Sequence, residues 1–185
     1  MLQDLDKTLE ELLNRELPPD LAQQITISFT PPNKEFFKSL PAINLFLYDV
    51  RENLELRNNE WSVERGSNGI AMKKRPPVRV DCSYLITAWP SKTEDFQTEH
   101  QLLGEVMKVL MRYPKLPEEV LQGSLAEQEP PIRTSILRPS LLQSLGEFWQ
   151  VIGGTPKATL NYSVTIAVSI DRTIESIPLV VDKRF

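Results

Sequence analysis

Val78-Arg79-Val80-Asp81-Cys82-Ser83-Tyr84-Leu85-Ile86-Thr87-Ala88-Trp89 alternates along nearly its whole length. Val78, Val80, Cys82, Tyr84, Ile86 and Ala88 fall on one side of an extended chain, and Arg79, Asp81, Ser83 and Thr87 on the other. Neighbouring side chains of a strand point to opposite faces, so the spacing predicts a strand with one buried face. Leu85 and Trp89 are the exceptions, apolar residues on the polar side. The pattern returns between Ala158 and Ile170, where Leu160, Tyr162, Val164, Ile166 and Val168 alternate with Asn161, Ser163, Thr165, Ala167 and Ser169. That second polar side is uncharged, a surface tolerable in water and equally tolerable against a neighbouring subunit. Pro41 to Val50 is apolar on both sides, Ile43, Leu45 and Leu47 against Phe46, Tyr48 and Val50. Such a stretch reads as a central strand covered on both faces.

Helical spacing appears twice. Leu2, Leu5, Leu9, Leu12 and Leu13 predict a helix over about residues 3–16, stopped by Pro18-Pro19. Ser91-Lys92-Thr93-Glu94 has the capping-box pattern. The helix it opens would turn Phe96, His100, Leu103, Met107 and Leu110 inward and close at Pro114. Shorter elements are a strand over 24–29, a return strand around Trp61 and Val63, a helical turn at 117–121, an extended piece at 132–137 and a helical turn within 141–151 carrying Phe148 and Trp149. Gly66 to Gly69 reads as a loop, and Gly153-Gly154 as a turn rather than a phosphate cradle, because a strand and not a helix comes after it. Strands are separated by turns as often as by helices. The reading is therefore α+β: one domain over 1–172 with a mixed, mostly antiparallel sheet and helices packed on one face, then an extended tail over 173–185.

Composition narrows the chemistry. The 185 residues carry 21 Lys plus Arg and 25 Asp plus Glu, a net charge of −4. That balance argues against a nucleic-acid partner, which requires concentrated positive charge. One Cys excludes an internal disulfide or a cysteine zinc cluster, and one His removes most metal-ligand sets. Seven glycines are few for phosphate loops. The first residues lack the basic start and apolar run of a secretory signal, and no apolar run approaches the ~20 residues that span a bilayer. The expectation is assembly in the cytoplasm without direct membrane insertion.

Candidate sites are few. His100 lies among apolar helix positions and reads as packing rather than as a base or ligand. Cys82 lies on a buried strand face and reads as a small apolar group. Asp49, Glu52 and Glu55 could form an acid/base or metal pair, but Arg51 and Arg57 are interleaved to neutralise them. Lys73, Lys74 and Arg75, with Arg79, form the one basic concentration; it reads as a loop that is solvated or meets an acidic partner surface. In the tail, Ile177, Leu179, Val180, Val181 and Phe185 either fold back as an edge strand or add a strand to a neighbouring chain. The expectation is no catalytic residue, no cofactor and no metal.

Five segments, taken in order, resemble one family. They are Leu40 to Asn53, Arg75 to Trp89, Glu99-His100-Gln101-Leu102-Leu103-Gly104, Gly146-Glu147-Phe148-Trp149, and Leu160 to Ile166. Together they resemble the cap, or tail-terminator, proteins of phage-tail-like contractile injection systems, over about residues 5–171. The segment after Asp171 matches no family motif. The resemblance implies a structural protein rather than an enzyme: a hexameric ring that ends the inner tube and joins it to the sheath, with tube and sheath proteins and copies of itself as partners, in a particle that is released or membrane-anchored. Two other readings stand beside it. One is a monomeric adaptor for a cargo protein or small ligand, and the other an enzyme using the carboxylates near 49–55.

Overall fold

The computed structural model describes residues 1–32, 41–65, 70–92, 94–128, 131–139, 141–142, 144–154, 156–170 and 175–178, with the backbone alone at 64–65, 70–74 and 175–178. The alternating stretch forms β5 (Val78–Trp89), flanked by the other two long strands, β2 (Ala42–Glu52) and β7 (Leu160–Val168). β2 runs antiparallel to β5 from Ala42 opposite Trp89 to Glu52 opposite Val80. β7 runs antiparallel along the other edge, from Val168 opposite Val78 to Leu160 opposite Ile86. A short parallel strand, β1 (Thr26–Ser28), and an antiparallel one, β6 (Arg133–Ile136), complete the order β1-β2-β5-β7-β6. The mixed, mostly antiparallel sheet expected from the alternation is present.

The pairing register shifts between Leu47 and Asp49. A bulge of this kind sets an extra residue on one strand and reverses the phase of the residues beyond it. Ile43 and Leu45 before it face the core. Past it, Asp49 and Arg51 stand opposite Ser83 and Asp81, on the polar side, and Val50 is exposed. Strict alternation through Val50, as the sequence predicts, therefore fails at Tyr48.

Two helices cover the inner face: α1 (Leu2–Glu16) and α3 (Phe96–Arg112). Leu5, Leu9, Leu12 and Leu13 of α1 are fully buried against Ile43, Tyr84, Ile86 and Tyr162 of the sheet. Each such leucine contributes about 1.5–3 kcal/mol relative to exposure. A short α2 (Pro19–Ala22) carries the chain from α1 to β1. α3 differs from expectation in two respects. Its N-cap is Asp95, whose carboxylate accepts from the Thr98 amide (3.1 Å) and hydroxyl (2.8 Å); the Ser91–Glu94 box is not used. Its buried stripe is Glu99, Leu102, Leu103, Val106, Val109 and Leu110, which leaves Phe96 61% exposed and His100 on the surface.

The stripe follows Leu102, Val106 and Val109 as well as Leu103 and Leu110, and it carries one buried charge. The Lys157 ammonium forms an ion pair with Glu99 and sits 4.8 Å from the centroid of the Trp89 ring. Desolvating Glu99 is tolerable because this cation is buried with it. The chain between α3 and β6 packs as two single helical turns, Glu118–Val120 and Gly123–Leu125, beside α1. Gly123 holds φ at +54°, and a Cβ there would lie 2.6 Å from the Asp4 carboxyl carbon. Only glycine admits both the left-handed backbone and that approach.

Among the described residues one end of the outer face is covered by a helix. α4 (Leu145–Val151) begins at the Ser144 N-cap and lays Trp149, 2% exposed, over Ala42 and Trp89. Phe148 reaches Phe46 with ring centroids 6.0 Å apart. Leu85 and Trp89, the exceptions in the alternation, are buried at this covered end.

A second sheet stands apart from the first, built from β3 (Ser62–Arg65), β4 (Ile70–Lys74) and β8 (Glu175–Pro178) in the order β3-β4-β8. All its pairings are antiparallel. The basic cluster expected to be a loop is instead the end of its central strand. The segment Gly66 to Gly69, read as a loop, lies outside the described residues.

Candidate partner-binding surface

The structure joins two features that are far apart in sequence. Lys73 lies opposite Val63 of β3 and Glu175 of β8, and Lys74 opposite Ser62. Ile177 lies opposite Ala71. The basic cluster and the start of the tail are thus one small sheet, in which residues 175–178 fold back as an outer strand. Leu179, Val180, Val181 and Phe185 lie outside the described residues. Among the described residues β3 and β8 each have a strand partner on one edge only.

The chain enters and leaves this sheet beside Pro76-Pro77. There Arg75 lays its guanidinium over Trp61, 4.8 Å from the ring centroid. Arg75 and Arg79 line one groove of about 360 Å³, shared with Arg57, Asn58, Asn59 and Glu52. Sequence reading found Arg75 and Arg79 but missed Arg57, the two asparagines and Trp61 as members of the same site. The available signal was Trp61 itself, a large aromatic in an otherwise polar stretch. Arg57 is committed to Glu52 by two hydrogen bonds of 2.7 and 2.6 Å, which lower the Glu52 pKa. Arg79 differs: its Nε is buried without a hydrogen-bond partner. Burial, then the charge of Arg133, lowers its pKa, and Asp81 partly restores it.

The uncovered half of the outer face lies alongside. Arg51, Asp81, Thr165 and Arg133 form one row across β2, β5, β7 and β6, and Asp49, Ser83, Ser163 and Ser135 the next. Asp81 accepts two hydrogen bonds from the Asn53 amide (2.9 and 3.1 Å) and one from Thr165 Oγ1 (2.6 Å). The Ser83 and Ser163 hydroxyls lie 3.2 Å apart. A groove of about 370 Å³ runs over these rows, rimmed by Arg133 and Arg138.

The groups considered for chemistry are placed otherwise. Asp49 is clamped by Arg51 at 2.6 and 2.8 Å, and Glu52 by Arg57, so the interleaved arginines neutralise the carboxylates separately. Cys82 is buried, and burial pushes its thiol up to about 12, far from a nucleophile's range. No group of three metal-ligating side chains occurs among the described residues. Among them, too, no helix is long and apolar enough to cross a membrane.

Residues 4–183 match the family described as the Pvc16 N-terminal domain. The chain belongs to that family. The match includes the segment after Asp171, in which no family motif is legible. Two solved structures are similar to this Pvc16 N-terminal domain over its whole length. One is a PVC sheath/tube terminator in the extended state, from an extracellular contractile injection system, with a TM-score of 0.73 and 30% identity. The other is the anti-feeding prophage cap, an AFP tube terminating cap, with a TM-score of 0.70 and 26% identity. The domain spans 62% and 61% of those two chains. Comparison with curated proteins gave no match. The resemblance to tail-terminator proteins of contractile injection systems, carried by five short segments, is borne out in family and in fold.

Proposed function

We propose that this domain is the cap, or terminator, module of a contractile injection particle: a structural protein, not an enzyme. The observation that carries this reading is the similarity of the entire chain to a sheath/tube terminator and to a tube terminating cap. In the proposed role six copies form a ring on the last layer of the inner tube. A ring arises naturally when one surface of a subunit meets a different surface of the next and the rotation closes. The ring stops tube growth and joins tube to sheath, with tube and sheath proteins as partners and no nucleic acid. Assembly takes place in the cytoplasm before the particle is released or anchored.

The small sheet supports a division of labour within the ring. Its central strand ends in Lys73 and Lys74, and among the described residues its outer strands, one of them Glu175–Pro178, have one partner each. In this reading the sheet and the tail Ile177–Phe185 form the arm that holds a sheath subunit, by added main-chain hydrogen bonds and by charge. Deleting residues 174–185 is expected to abolish sheath binding in a pull-down while leaving the main sheet folded; undiminished binding would remove the arm from the proposal. The decisive experiment is the length distribution of particles by electron microscopy with and without this protein. Overlong or unsheathed tubes in its absence are expected. Uniform sheathed particles would overturn the cap reading.

A further inference from the structure

The chain leaves β6 through a leucine whose backbone disfavours one. The Leu137 amide extends the β6–β7 ladder by donating to the Asn161 carbonyl (3.0 Å), and the residue holds φ at +62°. In this left-handed region a Cβ crowds the following carbonyl, so glycine or asparagine is the ordinary occupant. Leu137 is nonetheless 53% exposed, so burial in its own subunit does little to offset that cost. Arg138 follows it, exposed and without an ion pair among the described residues. Pro139 then biases Arg138 to extended backbone. The two side chains make a small apolar knob with a cation beside it. At the other end of β6 the same chain carries a groove of about 600 Å³. Buried Leu116 and Ile132 and half-buried Leu121 line it, and the exposed Glu118 and Glu119 stand on its rim. Lys115 is the one cation among its described lining residues, so the groove keeps a net negative charge. Ile132 and Leu137 lie roughly 16 Å apart along extended chain, which keeps the knob out of its own subunit's groove.

We propose that Leu137 and Arg138 of one subunit seat in this groove of a second copy of the chain. Leu137 then packs against Leu116, Leu121 and Ile132, and Arg138 meets Glu118 and Glu119. Opposite charges beside matching apolar surfaces fix the register of such a contact as well as favouring it. The apolar part removes from water a side chain that its own subunit leaves exposed. Knob and groove are different surfaces of one subunit, so the contact is head-to-tail, and such contacts close into a ring or run on as a filament. The proposal rests on the cap reading and deepens it, naming the contact between neighbours in the proposed ring.

Sedimentation velocity of the full chain over a range of concentrations is the test. The wild type is expected to form species larger than a dimer. Leu137→Gly removes the knob and suits the left-handed backbone, so the thermal midpoint is expected to stay level or rise. The same variant is expected to weaken association about tenfold or more. A leucine kept only for folding would give the reverse, a lower midpoint with unchanged association, and that result would overturn the proposal. Arg138→Glu is expected to weaken association as well. Adding Glu118→Lys and Glu119→Lys to that same chain exchanges the charges and is expected to restore it. No restoration, a persistent monomer, or a wild-type assembly that stops at a dimer would each overturn the contact. Normal particle lengths in the complete absence of the protein would instead defeat the cap reading, and sedimentation would then judge the contact by itself.

Discussion

The two halves of the outer sheet face share the same strands and are treated in opposite ways. At one end Ala42, Asn44, Leu85, Thr87 and Trp89 are all 4% exposed or less, sealed under Phe148 and Trp149 of α4. At the other end Asp49, Arg51, Asp81, Ser163 and Thr165 remain at least partly accessible: Thr165 donates to Asp81 across strands, Arg51 donates to Asp49 along β2, and Ser163 meets the buried Ser83. The difference arises in the outward residues: apolar ones call up a helix from the same chain, and polar ones leave the face open to another. A monomer that needed only to fold would gain nothing from the second half. In the proposed ring, a subunit would gain a surface that is stable in water before its neighbour arrives.

The largest expected effect breaks the sealed half. Trp149→Ala should cost about 3–5 kcal/mol in chemical denaturation, because the ring is buried between α4 and the sheet against Ala42 and Trp89. Lys157→Met should come next, at about 3 kcal/mol, since it strands the Glu99 carboxylate in a site that is 3% exposed. A loss below about 1 kcal/mol for either would mean that the covered end is loosely packed and adds little to stability.

Asn44 sharpens the contrast in the other direction. Its amide is fully buried in the sealed half, and neither its Nδ2 nor its Oδ1 has a hydrogen-bond partner. Asn44→Leu, close in volume, should therefore stabilise by about 1–2 kcal/mol; a destabilisation would reveal a bound water that the amide needs. On the open half Thr165→Val removes one of three hydrogen bonds to Asp81 and should cost only about 1 kcal/mol. Its larger consequence should appear in ring formation, measured by native mass spectrometry. An unaltered ring would mean that this half of the face is not an interface.

The smallest effect lies away from both halves. The Ser124 hydroxyl and amide hold the Asp4 pKa down to about 2, below its ordinary value of 3.8. A lowered carboxylate pKa stabilises above the unfolded value, and that contribution is lost as pH falls through the folded one. Asp4→Asn should therefore be slightly less stable than the wild type above about pH 4, with the difference fading as pH falls from about 4 to 2.

The long strands and α1 are legible in the sequence because period-2 and period-3.6 patterns over nine or more residues leave little choice. The inward side of α3 is read in part: Leu103 and Leu110 are buried and Met107 packs against the core as expected, but Phe96 and His100 are exposed, and Glu99 is buried beside Lys157, 58 residues away, which no hydropathy pattern anticipates. The Tyr48 bulge is invisible for the same cause, since a register shift belongs to a pair of strands and not to one. The site is half legible. Composition exposes Lys73, Lys74, Arg75 and Arg79, but the union of the cluster with the tail depends on pairing Lys73 with Glu175.

That pairing of β4 with β8 also sets a clock. Lys73 and Glu175 are 102 residues apart. At a synthesis rate of about 5–20 residues per second, β3 and β4 leave the ribosome roughly 5–20 s before β8 can reach them. The main sheet meets the same delay for β7 but has α1 and α3 to collapse on in the meantime. Of the two sheets the small one is therefore closed later, since its β8 follows β7 in the chain.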